Sequence, residues 1–236
     1  MDHPTVLVFV EFPDPAFPMA GFLNNLAYPN VELVGCYHLA DDESVEEARA
    51  AYEEEFTAEL EAHAERFEER GVRTEFDLIF EPDPIEARHR ISKDDDVDAI
   101  LLPGGANTLG KVLIAARHTE NAEERMSNLL NIVNREGLIS LDLVHVADPD
   151  DPDGEAEGER VLNEKASILT EHGVPAVQIG REVRTGGDVP FELNQAARDC
   201  DLLVMGETQR DVGDEVFGPV GEYIVEDQDV PVLILR

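Results

Sequence analysis

The residues best suited to chemistry lie in the last stretch of the chain. Gly206 closes a short apolar run, Asp201–Met205, and a polar loop carries Gln209 and Arg210 on to Gly218, Pro219 and Val220. A glycine-bearing loop that leaves the carboxyl end of a parallel strand and opens a helix is a seat for an anion. The first N–H groups of the helix point outward, and its dipole favours negative charge. Pro219 removes one of those N–H groups. Glu207, Asp211, Asp214 and Glu215 add negative charge beside the loop, with Arg210 opposing them. Each such acid repels a bound anion by ~1 kcal/mol at roughly 6–8 Å unscreened, and by less in salt. Arg117, after the apolar run Lys111–Ala116, is a second cation at a strand end.

Other chemistries are poorly supplied. The acidic run Asp148–Glu155 looks like a calcium loop. With Gly154 in the sixth position, however, the first ligand would be Pro149 and the twelfth Arg160, where a bidentate Glu is needed. The seven histidines make no metal spacing. His38 and His145 follow apolar strand residues at matching places and read as strand-end packing. Cys36 and Cys200 sit in or beside apolar runs as free thiols. No nucleophile and base share a local signature, so no catalytic residue is assigned and a binding role is favoured over an enzyme.

The elements that must position these residues alternate between strand and helix. Thr5–Val10, Val31–Leu39, Val72–Phe80 and Asp98–Leu102 read as buried strands. A short helix is expected over Phe17–Tyr28. A long one starts at the capping box Ser44-Val-Glu-Glu47 and ends at Gly71. Pro84–Ile91 is a third helix. The pattern then restarts. Strands are expected at Lys111–Ala116, Leu138–Val146, Pro175–Ile179 and Asp201–Met205, and helices from Thr119, over Glu155–His172 and over Pro190–Arg198. A last helix opens at Gly218, with Val220, Tyr223 and Ile224 as its apolar stripe, and Val230–Leu235 is the closing strand.

The two halves match. Glu69-Arg-Gly-Val72 recurs as Glu171-His-Gly-Val174, and Gly104 precedes Gly206 by the same separation. Two copies of one αβ unit explain this better than a single sheet of nine strands. The first copy runs from Gly104-Gly105 straight into the next strand, with no room for the last helix and strand. The expected division is therefore a truncated unit at 1–109 and a complete one at 110–236. Parallel sheets with right-handed crossovers follow from the alternation.

The chain has 236 residues, 53 acidic and 18 basic, for a net charge of −35. Its 42% apolar content supports real cores. The acids are spread over the whole length, which reads as adaptation to high salt rather than a single acidic docking tail. Such a field excludes nucleic acid and anionic membranes as partners. With no leader and no long apolar span, a soluble cytoplasmic protein is expected, without membrane insertion.

The closing segment, with its strand ending in Met205-Gly206, its polar loop, Gly218-Pro-Val-Gly-Glu on a helix and Val230-Pro-Val-Leu-Ile, resembles the end of a universal stress protein (UspA-like) domain. The tandem, trimmed pattern is similar to that of salt-adapted archaeal members. The resemblance implies two tandem doubly wound α/β domains, Rossmann-like and of the adenine nucleotide alpha hydrolase type. It also implies a stress-response or regulatory binding role. Nucleotide-binding members carry Gly-x2-Gly-x9-Gly-Ser/Thr across the loop, and an acid at the end of the first strand. Here the second glycine is Gln209, the third best matches Gly218, and Pro219 replaces the Ser/Thr. The acid position holds Arg117 in the second copy and Glu11 in the first. Gly104-Gly105 forms a nest-like loop in the first copy, with no helix after it.

The resulting expectation is a degenerate nucleotide site at Arg117, Gly206, Gln209, Arg210, Gly218 and Val220, with Glu11, Gly104 and Gly105 as its first-copy equivalents. No cofactor and no metal are expected. The alternatives are an ATP-binding switch or slow ATPase, with magnesium, in the Gly206–Gly218 cleft, and a regulatory partner of a membrane transporter. In the family the last strand pairs across a dimer. The first copy lacks it, so a homodimer through Val230–Leu235 is expected.

Overall fold

The structure, a computed structural model, describes residues 3–27, 29–91, 97–117, 121–206 and 230–236. The strands are β1 (Thr5–Phe12), β2 (Asn30–His38), β3 (Thr74–Glu81), β4 (Ala99–Leu102), β5 (Lys111–Ala115), β6 (Ser140–Ala147), β7 (Ile179–Thr185), β8 (Leu202–Gly206) and β9 (Val232–Leu235). The helices are α1 (Ala20–Leu23), α2 (Val45–Glu68), α3 (Pro84–Ile91), α4 (Ala122–Ile132), α5 (Gly154–Glu171) and α6 (Val189–Ala197). The α/β class holds. α2 starts where its capping box requires: the Ser44 hydroxyl accepts from the Glu47 N–H at 3.3 Å, and the Glu47 carboxylate accepts from the Ser44 N–H at 3.2 Å. Gly71 and Gly173 follow α2 and α5 with φ of +79° and +90°, which only glycine adopts cheaply.

Two elements depart from expectation. The helix expected over Phe17–Tyr28 is the single turn α1. Pro175–Ile179 is not a strand: a 3-10 turn occupies Ala176–Gln178, and β7 begins at Ile179. β7 is an edge strand with Arg181, Glu182 and Arg184 along it, so it lacks the apolar run that marks a central strand.

The strand order is β3-β2-β1-β4-β9-β8-β5-β6-β7 in one nine-stranded sheet. Each half has the same internal order, and every pair is parallel except β4 with β9. This corrects the expectation against a single sheet of nine strands: the strands of both halves share one sheet, because β9 bonds both β4 and β8. β9 pairs parallel with β8 and antiparallel with β4, opposing Ile100 to Ile234 and Leu101 to Leu233. This corrects the expected homodimer through Val230–Leu235. The chain's own last strand fills the place between β4 and β8, so β9 has no edge left for a second chain.

The apolar core follows this sheet across the seam. One core lies under α1, α2, α4 and α5, and includes Leu60, Leu101, Leu233, Ile114 and Leu169. A second core on the opposite face is covered by Ala87 of α3 and by Leu193 and Ala197 of α6, and it takes in Val232 and Ile234. At the seam the Ala27 N–H donates to the Ile132 carbonyl at 2.7 Å, and the Asn134 N–H donates to the Asn25 carbonyl at 2.8 Å.

Matching aspartates set the strand starts. Asp98 Oδ2 accepts from the Thr5 N–H at 2.8 Å. Asp201 accepts from the N–H groups of Gly110 and Lys111 at 2.8 and 2.9 Å, and from the Thr108 hydroxyl at 3.1 Å. Burial opposes the Asp201 charge, but these donors outweigh it and hold its carboxyl below the ordinary range.

Candidate functional site

Ligands of open α/β sheets sit outside the carboxyl ends of the strands, where the strand order reverses. In the first half that point lies between β1 and β4, and a cleft of about 560 Å³ opens there. Its walls come from Val10 and Glu11 of β1, His38 of β2, Pro82 and Ile85 beyond β3, and Leu102 and Pro103 at the end of β4. Arg88 of α3 also lines the cleft and is only 3% exposed. Its Nη1 lies 3.7 Å from Glu11 Oε1, and its guanidinium stands 5.9 Å over the Phe9 ring. Burying a guanidinium is costly unless it is paired, so Arg88 fixes the carboxylate of Glu11 at the strand end. Asp83 Oδ1 accepts from the N–H groups of Ile85 and Glu86 at 2.9 and 3.0 Å. The start of α3 therefore already holds its own carboxylate.

The second half differs at the same points. Val6 pairs with Ala99 as Val112 pairs with Leu202, which makes Arg117 the counterpart of Glu11. Arg117 is exposed. Gly206 lies at the end of β8, and a Cβ added there would meet Nη1 of Arg125 at 2.6 Å. The guanidinium of Arg125, from α4, thus lies against the strand-end glycine. Lys165 of α5 is 5% exposed. Burial, and then the charge of Arg125, lower its pKa. Pro190-Phe-Glu-Leu-Asn194 on α6 repeats Pro84-Ile-Glu-Ala-Arg88 on α3. Asn194 thus takes the place of Arg88, and its Oδ1 is buried with no hydrogen bond among the described residues. Among the described residues, Arg117 and Asn194 thus stand where the first half has Glu11 and Arg88.

Of the sequence-predicted residues, Glu11, Arg117 and Gly206 stand at strand ends; Gln209, Arg210, Gly218 and Val220 lie outside the described residues. Gly104 and Gly105 follow β4, but neither has a positive φ, so the nest-like loop does not form there. The register also separates Gly104 from Gly206. Leu101 and Val204 face one core while Leu102 and Met205 face the other. Pro103 is therefore the counterpart of Gly206, because a one-residue slip would exchange the faces.

His38 and His145 are not counterparts either. Val10 pairs with Gly35 on β2, and the Ala116 N–H bonds the carbonyl of Val144, next to His145. His145 is buried with Nδ1 2.7 Å from the Ala116 carbonyl, a packing role, whereas His38 is exposed at the rim of the first cleft. The run from Asp148 folds into turns, with the Asp148 and Asp151 carboxylates accepting from the Asp150 and Asp153 N–H groups. No group of three metal-ligating side chains converges among the described residues. Cys36 is fully buried, and burial, with Glu11 and Glu81, pushes its thiol up to about 12. No described helix is long and apolar enough to cross a membrane.

Sequence reasoning missed Arg88 and Arg125. The signal for Arg88 was present: it lies beside Ala87 and three residues before Ile91, which face the core from α3. For Arg125 no local signal existed, because its contact with Gly206 joins residues far apart in the chain.

The model of the universal stress protein family matches residues 108–236. No protein of curated function matches the chain significantly. Among solved structures, a universal stress protein from Archaeoglobus fulgidus DSM 4304 aligns over 98% of this chain and 96% of its own, at a TM-score of 0.60 and 15% identity. A functionally unknown protein from Pseudomonas aeruginosa PAO1 aligns over 99% of this chain and 92% of its own, at a TM-score of 0.51 and 14% identity. A universal stress protein from Archaeoglobus fulgidus solved in complex with dAMP covers 54% of this chain and 98% of its own, at a TM-score of 0.42 and 17% identity. At these identities the first two alignments speak to the fold alone.

Proposed function

Because this chain belongs to the universal stress protein family, we propose that it is a stress-response regulatory binding protein, not an enzyme, whose nucleotide site has degenerated. In this reading 1–109 and 110–236 are two copies of one unit, adapted to high salt and working in the cytoplasm. The observation that carries the degeneration is the covering of Gly206. Phosphate binding at a strand-end glycine needs bare backbone, and here the Arg125 side chain lies against it. Gln209 and Pro219 weaken the same grip from the sequence side. Calorimetry with ATP and magnesium in molar salt tests this. The expected result is no saturable binding in the micromolar range. Micromolar binding that disappears in Gly218→Arg would overturn the proposal.

A second reading has one specific observation in its favour. Arg125 brings positive charge against Gly206, and a cation there could hold a phosphate. In that case the protein is an ATP-dependent switch. The same calorimetry would then show binding that Arg125→Ala abolishes while Gly218→Arg leaves part of it.

A further inference from the structure

We propose that the first-half cleft is a separate site for a small organic cation, an alkyl- or quaternary-ammonium compound, recognised at Glu11. This does not depend on the fate of the nucleotide site in the second half.

Four features converge. The cleft, at about 560 Å³, is large enough for a small organic molecule, and Val10, Ile85, Leu102 and Pro103 give it apolar walls. Glu11 stands at the strand end with its side chain 51% exposed, while the partner that fixes it, Arg88, is only 4% exposed. The guanidinium is thus buried in the cleft wall, turned to the Phe9 ring and to Glu11, and the carboxylate is the more exposed of the pair. Asp14 and Asp83 also line the cleft and are exposed.

The alternatives fail on chemistry. An anion would face the carboxylates of Glu11, Asp14 and Asp83 against a single, almost wholly buried guanidinium. It would also find no helix start to bind, because Asp83 already accepts the N–H groups of Ile85 and Glu86. No positive-φ glycine follows β4 to build a phosphate nest. A small inorganic cation needs several oxygens at close range, and no group of three ligating side chains converges among the described residues. An alkylammonium needs neither: its apolar body fills the walls and its diffuse charge is satisfied by one fixed carboxylate in a negative mouth.

The test must separate this site from the general attraction of so acidic a chain for cations. Choline and its neutral isostere 3,3-dimethyl-1-butanol are titrated into the full chain in molar potassium chloride, followed by calorimetry and by ligand-observed NMR. Choline should bind saturably with one site per chain, the isostere should not, and Glu11→Gln should weaken choline about tenfold. Asp14→Asn, at the mouth, should weaken it by a smaller factor. Circular dichroism confirms that both variants are folded. Equal binding of the isostere would show an apolar cavity only, and choline binding unchanged in Glu11→Gln would show a counterion atmosphere; either overturns the site. So would the absence of choline binding, or ATP binding that Glu11→Gln strengthens. ATP binding abolished by Gly218→Arg and indifferent to Glu11→Gln would overturn the degenerate second-half site and leave this one standing.

Discussion

Replacing Asp201 with alanine should destabilise the protein more than the same change at Asp98, although the two residues occupy matching places. Asp201 accepts from two backbone N–H groups and one hydroxyl, at 2.8, 2.9 and 3.1 Å. Among the described residues Asp98 has one such bond, to the Thr5 N–H at 2.8 Å. A hydrogen bond to a charged acceptor contributes about 1.5–3 kcal/mol when buried and less near solvent. Asp201 is only partly buried, so three bonds lead to a loss of about 2 kcal/mol for Asp201→Ala and about 1 kcal/mol for Asp98→Ala. For a chain of this size the first value lowers the melting temperature by about 4–8 °C. Thr108→Val, which removes one donor, should cost about 0.5 kcal/mol and couple to Asp201→Ala in a double-mutant cycle.

The pH dependence fixes the mechanism. The folded pKa of Asp201 lies below its ordinary value of 3.8. Its contribution is therefore complete above pH 3.8 and is lost as pH falls through the folded value. Urea titrations of wild type and Asp201→Asn across acid pH should converge at the acid end and separate above it. The functional link is register: the Asp201 clamp holds the start of β5 against β8, which aligns Arg117 and Gly206 at the far ends. If Asp201→Ala costs no more than Asp98→Ala, or the two urea series fail to converge in acid, the clamp argument is wrong.

Three further perturbations test other parts of the account. Charged substitutions at Val232 or Ile234 should unfold the chain rather than dissociate it, since both side chains are 2% exposed inside a central strand. An unpaired buried carboxylate there costs more than about 4 kcal/mol, and a folded Ile234→Asp by circular dichroism would refute the placement of β9. Gly158→Ala should cost about 1–3 kcal/mol by overpacking, because an added Cβ meets the His145 ring at 2.6 Å; a melting temperature equal to wild type would count against that packing. His63 stacks on Phe17 with centroids 3.5 Å apart, and burial followed by Arg66 lowers its pKa from 6.5 to about 4. The folded state disfavours its protonation, so stability is complete above pH 6.5 and falls as pH drops from 6.5 toward 4. His63→Gln should flatten that slope in thermal melts, and an unchanged slope would exclude His63 as its source.

Much of the fold was legible because local rules and tertiary needs agree. The capping box at Ser44, the glycines after α2 and α5, and the apolar runs of β1, β4, β5 and β8 each announce their element within a few residues. β7 was misplaced because an edge strand alternates charge with apolar residues, and the 3-10 turn before it has no distinctive composition. Of the candidate site, Glu11, Arg117 and Gly206 were readable as strand-end residues. Arg88 was readable in principle from its place beside the residues of α3 that face the core. Arg125 was not, because nothing near it in sequence indicates Gly206.

What the sequence determined by itself is the repeated alternation of strand and helix, since hydrophobic period and turn chemistry are local properties of the chain. It also determined the charge. What only the tertiary structure decided is how the halves meet. An apolar strand needs both edges filled, but its composition does not say by which strand. β4 offers an edge, and β9 closes on it within the same chain. Nor does sequence separation fix equivalence between the halves: the side-chain period of two makes Pro103, not Gly104, the counterpart of Gly206, a choice set by which face each strand turns to the core.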